Sequence, residues 1–166
     1  MKHIEHEYSF KVTVLSPFIE YCEKEGYKKI EETLQTRILY KRHDKTMLRI
    51  TIKNKNGKIT KEFDFKQDKL TDKPLVERKE TIPIKYTDDE AIESIIDFLD
   101  YKKAIELKRK RLVYVKDNVK FELDDYSSPN QMYVVALEGN KLDTCKIYSE
   151  LHKNYNQYFL DELLDS

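Results

Sequence analysis

Acidic and basic side chains recur at alternate positions along several stretches of this chain. From His3 to Val12, Glu5, Glu7, Ser9 and Lys11 point one way, while Ile4, His6, Tyr8, Phe10 and Val12 point the other. Arg49, Thr51 and Lys53 alternate in the same manner with Leu48, Ile50 and Ile52. Thr60, Glu62, Asp64 and Lys66 oppose Ile59, Phe63 and Phe65. Arginine forks and lysine point charges suit phosphate oxygens, whereas carboxylate oxygens suit hard divalent cations. Other chemistries find little support. Gly26, Gly57 and Gly139 are isolated, so no phosphate-cradling glycine loop is present, and no Ser/His/Asp set is apparent. His3, His6, His43 and His152 lack partner spacing and read as surface or packing residues. Cys22 and Cys145 belong to no Cys-x-x-Cys pattern and read as plain thiols.

A single strand with one charged face is explained by an open sheet with that face in water. The set as a whole is not. Nearly every strand repeats the pattern, with charges mostly cationic in the middle strands and anionic in the first and last. A closed barrel uses one face for packing and the other for a ligand. Enclosed bases then need an anion and enclosed acids need a cation, and a metal-bound polyphosphate supplies both.

The elements that must position these residues follow from periodicity and turn chemistry. A strand over His3 to Val12 precedes a helix with Ser16 as N-cap, Pro17 at its first position, an apolar side of Phe18, Ile19 and Cys22, and Gly26 as its stop. Strands are expected over Lys28 to Tyr40, Met47 to Asn54 and Lys58 to Gln67, the last two joined at Asn54-Lys-Asn-Gly57. Lys69 to Pro74 reads as a loop, and Leu75 to Ile82 as a strand ended by Pro83. Thr87-Asp-Asp-Glu90 has capping-box spacing ahead of Ala91, Ile92, Ile95, Ile96 and Leu99. Strands over Ala104 to Lys116, Asn118 to Asp125 and Gln131 to Glu138 follow, then helical spacing over Cys145 to Lys153 and Gln157 to Leu164. The fold class expected is α+β: an antiparallel, roughly eight-stranded closed β-tunnel with flanking helices. It forms a single domain over residues 1–166.

Composition narrows the partners. The chain has 31 Lys plus Arg and 31 Asp plus Glu, so its net charge gives no reason to expect a nucleic-acid or membrane surface. With 39% hydrophobic residues and aromatics throughout, it has the material for a packed core. The N-terminus lacks the apolar run of a signal peptide, and no segment reaches the about 20 apolar residues that span a bilayer. A cytoplasmic location without a membrane partner is expected.

Several segments, taken in order, resemble the CYTH, or triphosphate tunnel metalloenzyme, family, which includes class IV adenylate cyclases, thiamine triphosphatases and inorganic triphosphatases. Ile4-Glu-His-Glu7 looks like its Glu-x-Glu signature. The resemblance continues through Leu48-Arg-Ile50, Phe63-Asp-Phe-Lys66, Arg78-Lys-Glu80, Lys108-Arg-Lys-Arg-Leu-Val-Tyr114, Phe121-Glu-Leu-Asp-Asp-Tyr126 and Val134-Val-Ala-Leu-Glu138. It implies Glu5, Glu7, Asp124 and Glu138 as tunnel-facing ligands of Mg²⁺ or Mn²⁺, with Glu122 on the same face. It implies Arg49, Lys66, Arg78, Arg109 and Arg111 as triphosphate-binding residues, and Glu5, Glu7 and Lys66 as the catalytic group. The alternative that Lys108 and Lys110 point inward in place of Arg109 and Arg111 stays open.

The activity implied is metal-dependent hydrolysis of inorganic tripolyphosphate or an organic triphosphate. The alternatives are a catalytically weakened polyphosphate- or nucleotide-binding module and a class IV-type adenylate cyclase. The partner is a triphosphate-containing small molecule, with an RNA 5′-triphosphate end as the one nucleic-acid exception. Three positions depart from the family pattern. Ser9 replaces a lysine, Thr51 a second basic residue, and Ala136 the first Glu of the late Glu-x-Glu. Lys11 and Lys53 lie two residues along the same faces, roughly 7 Å away, and are candidate substitutes in substrate binding.

Overall fold

The computed structural model describes residues 3–67 and 75–160, with side chains over 6–67 and 78–160. Among the described residues, nine strands and three α-helices run in the order β1 (His3–Val12), α1 (Ser16–Lys24), β2 (Lys28–Lys41), β3 (Thr46–Lys55), β4 (Lys58–Gln67), β5 (Leu75–Glu80), β6 (Ile84–Tyr86), α2 (Asp89–Phe98), β7 (Lys102–Lys116), β8 (Val119–Ser128), β9 (Met132–Gly139) and α3 (Lys141–Tyr155). Neighbouring strands follow the ring β3-β2-β7-β8-β9-β1-β5-β4, and β4 pairs back onto β3, so eight strands close on themselves. Every pairing is antiparallel. The closed antiparallel tunnel with flanking helices is therefore the fold.

Local chemistry accounts for most of the connections. The β3–β4 hairpin turns on Asn56 and Gly57 between the paired Lys55 and Lys58. Both turn residues have positive φ, 53° and 86°, which matches the right-handed twist of the flanking strands. Helix α1 ends at Gly26, φ +82°, where Tyr27 N donates to Cys22 O at 2.8 Å and Gly26 N to Glu23 O at 3.3 Å. That pair of bonds closes off carbonyls the helix leaves open.

Four local expectations need correction. Ser16 lies inside α1 and Leu15 holds the N-cap position without a side-chain bond, since leucine has no acceptor to offer; its carbonyl takes the N–H of Phe18 and Ile19 at 3.0 and 3.1 Å, and Pro17 in the first turn has none to satisfy. In α2 the cap is Asp88, not Thr87, its carboxylate accepting from Ala91 N at 3.1 Å. Pro83 does not end a strand outright. β5 stops at Glu80 and β6 resumes at Ile84, both along β4, with Lys66 opposite Glu80 and Phe63 opposite Ile84. At the break, Thr81 N donates to Phe65 O and Phe65 N donates to Thr81 Oγ1, each at 2.9 Å, so a hydroxyl replaces a ladder carbonyl. Finally, the second C-terminal helix is not formed over its described part. A 3₁₀ turn at Asn156–Tyr158 leads to Phe159, which bridges to Val12 and stacks on Phe10 at 4.4 Å. Residues 161–164 of that expected helix, and the expected loop over 69–74, lie outside the described residues.

The apolar cores sit outside the barrel wall. Phe10, Phe121, Leu123 and Leu137 pack with Phe18 and Cys22 of α1 and Leu151 of α3, all at 3% exposure or less. Leu48, Ile50 and Phe63 pack with Ile92 and Ile96 of α2 and Tyr101. Each large apolar side chain so buried contributes about 1.5–3 kcal/mol. Since strand side chains alternate, packing one face against helices sends the other face inward.

Candidate functional site

The inward face encloses a cavity of about 430 Å³. Among the described residues, eight basic and eight acidic side chains line it. Strand parity sets who enters. On β7, Arg109 and Arg111 are buried and line the cavity, whereas Lys108 and Lys110 are exposed. The buried outer-face residue Leu123 of β8 opposes Leu112, which pins the register that sends Arg111 inward opposite Asp124.

The charges largely compensate one another. Asp124, 2% exposed, accepts from Arg111 Nε at 2.7 Å and Nη2 at 2.8 Å, and Arg111 Nη1 donates to Glu122 at 2.7 Å. Arg109 donates to Gln35 Oε1 at 3.0 and 2.9 Å and to Tyr126 Oη at 2.9 Å. A second network joins β1, β3, β4 and β5. Arg49 pairs with both oxygens of Asp64 and lies 3.5 Å from Glu80. Lys66 Nζ stands 3.6 Å from both Glu80 and Glu7, and Arg78 is 3.4 Å from Glu7. At one side, Lys53 bridges Glu31 at 3.1 Å and Glu62 at 3.4 Å. The idea that only a metallated anion could neutralise such a lumen is corrected by these internal pairs.

Of the residues chosen from sequence, Glu7, Arg49, Lys53, Lys66, Arg78, Arg109, Arg111, Glu122, Asp124 and Glu138 all line the cavity. Lys11 is not among its lining residues. Glu5 stands opposite Arg78 in the β1–β5 register, and its side chain lies outside the described residues. Sequence reasoning missed Glu31 and Arg37 of β2, Glu62, Asp64, Glu80 and Lys120, which also line the cavity. The signal for β2 was present in the period-two run Glu31, Thr33, Gln35, Arg37.

A divalent cation can be tested against the acids of β1, β8 and β9. Glu7 and Glu138 are direct cross-strand partners, and Lys120 Nζ lies 2.9 Å from Glu138 and 3.9 Å from Glu122. A positive charge thus already occupies the place between two carboxylates. Their hard oxygens match Mg²⁺ or Mn²⁺ in kind. Among the described residues, no three His, Cys, Asp or Glu side chains are grouped closely enough to hold an ion as they stand.

No family model matches the chain, and no curated protein matches it. Solved structures do. PH1012 from Pyrococcus horikoshii superposes with a TM-score of 0.68 at 18% identity, over 90% of this chain and 88% of that one. A candidate adenylate cyclase from Bacillus halodurans gives 0.62 at 17% identity, over 96% and 93%. A candidate adenylyl cyclase from Hippeastrum, reported to have a dominant triphosphatase activity, gives 0.63 at 13% identity, over 90% and 86%. At such identities the likeness shows the tunnel fold alone and leaves the chemistry to the site itself.

Proposed function

We propose that the tunnel binds a triphosphate-type small molecule together with Mg²⁺ or Mn²⁺ and hydrolyses its terminal phosphoryl group. The observation that carries this reading is the charged inner wall of a closed barrel whose apolar cores lie outside it. Arg49, Lys53, Lys66, Arg78, Arg109 and Arg111 bind the phosphate chain on this reading. Arg111 is oriented for that task by its two bonds to Asp124, and Arg109 by Gln35 and Tyr126. Guanidinium groups held this way need little reorganisation when an anion arrives. Glu5, Glu7, Glu122 and Glu138 would hold the cation, with Asp124 behind Arg111; when bound, it would neutralise phosphate oxygens and acidify a water. Lys66, between Glu7 and Glu80, adds a positive charge next to the proposed catalytic acids. We further propose one domain and a cytoplasmic setting. Among the described residues no helix is long and apolar enough to cross a membrane.

A second reading is a module that binds without turnover, favoured by the neutral side chains Ser9, Thr51 and Ala136 along the tunnel wall. Incubation with tripolyphosphate or ATP and each metal separates the two. Phosphate release that disappears in Glu7→Gln supports hydrolysis, and tight binding without release supports the module. A cyclic nucleotide with pyrophosphate would instead mark a cyclase, and failure to bind any triphosphate would sink the tunnel reading.

A further inference from the structure

Arg37 differs from the other seven lining cations. Each of those lies beside a carboxylate, as in Arg49 with Asp64, Lys53 with Glu31, Lys66 and Arg78 with Glu7, Arg109 and Arg111 with Asp124, and Lys120 with Glu138. Arg37 makes no such pair among the described residues. Its hydrogen bond there runs from Nε to Thr51 Oγ1 at 3.2 Å. A guanidinium has five N–H donors, so this bond leaves the whole terminal fork of Nη1 and Nη2 without a described protein partner.

The surroundings make that arrangement costly. Enclosure within the barrel weighs most heavily against the charge of Arg37, and the neighbouring Arg109, Arg49 and Arg111 add like-charge repulsion that the charge of Asp64 offsets only in part, so its pKa is drawn well below the usual arginine range. Arginine nonetheless stays protonated in proteins, so this charge persists inside the barrel. An arriving anion relieves both burdens at once. Thr51 is also its direct cross-strand partner, which orients the guanidinium from one side. Position 51 is where the resembled family carries a second basic residue, and Arg37 brings a positive charge to that place from the adjacent strand.

We propose that Arg37 is a phosphate-binding residue of the tunnel, with its Nη1/Nη2 fork receiving two oxygens of one phosphate group. This rests on the reading of the tunnel as a triphosphate site. It adds a residue that neither the sequence-derived set nor the internal ion pairs include.

The test compares wild type, Arg37→Gln and Arg37→Lys by calorimetric titration with inorganic tripolyphosphate, with and without Mg²⁺, alongside melting curves of the ligand-free proteins. Arg37→Gln is expected to bind on the order of tenfold more weakly or worse. Arg37→Lys, which keeps the charge without the fork, is expected to fall between. Ligand-free Arg37→Gln is expected to melt above wild type, because an uncompensated charge has been removed. Wild-type affinity in Arg37→Gln overturns the assignment while leaving the tunnel reading standing. A lowered ligand-free melting temperature in both variants also overturns it, since that is the mark of a structural strut. If wild type binds no tripolyphosphate, both the tunnel reading and the role of Arg37 fall.

Discussion

Ser9 of β1 stands directly opposite Ala136 of β9, and both line the tunnel. The resembled family carries a lysine and a glutamate at these two positions. Opposite charges across an antiparallel pair stabilise one another, so the two departures remove a matched pair together. On its other side Ala136 faces Glu122, and a carboxylate at 136 alone would meet like charge.

Restoring the pair should therefore be non-additive. Ala136→Glu alone is expected to destabilise the protein, and the Ser9→Lys/Ala136→Glu double variant to recover part of the loss. A coupling of about 0.5–3 kcal/mol is expected from urea unfolding of the four proteins. Simple additivity would mean that the two positions do not act as a unit.

Arg111 and Asp124 predict a larger effect. Arg111→Ala removes both close hydrogen bonds to a carboxylate that is 2% exposed and leaves it Arg109 Nη1 at 3.9 Å, and the expected loss is about 3–5 kcal/mol of unfolding free energy. A loss below about 1 kcal/mol would show that Arg109 takes over the compensation of Asp124. Because the effect concerns folding, it should appear without any ligand.

The acid limb of stability should depend on Glu122. Burial opposes its ionisation, but the charges of Arg111 and Lys120 and contact with Glu138 outweigh that and hold its pKa well below the usual carboxylate range. The unfolded value is about 4.3. A carboxyl whose folded pKa lies lower stabilises the fold fully above the unfolded value and loses that contribution as pH falls through the folded one. Melting temperatures taken from about pH 6 to about pH 3 should fall more steeply for wild type than for Glu122→Gln. Parallel curves would remove Glu122 from the acid response.

The two thiols should differ in reactivity. Cys22 is fully buried, and that burial, with the nearby charge of Glu23, pushes its thiol up to about 12. Cys145 is partly exposed and accepts a hydrogen bond from Tyr8 Oη at 3.2 Å. Iodoacetamide at mildly alkaline pH is expected to modify Cys145 first, and Cys22 only as the protein unfolds. Mass spectrometry of timed digests distinguishes the two, and equal labelling rates would contradict the packing around α1.

Much of this protein is written in local pattern. Alternation alone separated Glu7 from Tyr8 and Arg49 from Leu48, since successive side chains on an extended L-peptide must leave opposite faces. Asn56-Gly57 marked its hairpin, because positive φ at both turn residues selects for such a pair. Tertiary structure alone decided what depends on distant partners. It set Arg109 and Arg111 inward over Lys108 and Lys110, placed Arg37 across from Thr51 and gave Asp124 to Arg111. It also brought Ser9 to Ala136 across more than half the chain. Periodicity is a property of a few consecutive residues, whereas register and closure arise when strands far apart in sequence find the pairing that buries Leu123, Leu137 and Phe121 against the helices and leaves the charges to meet inside.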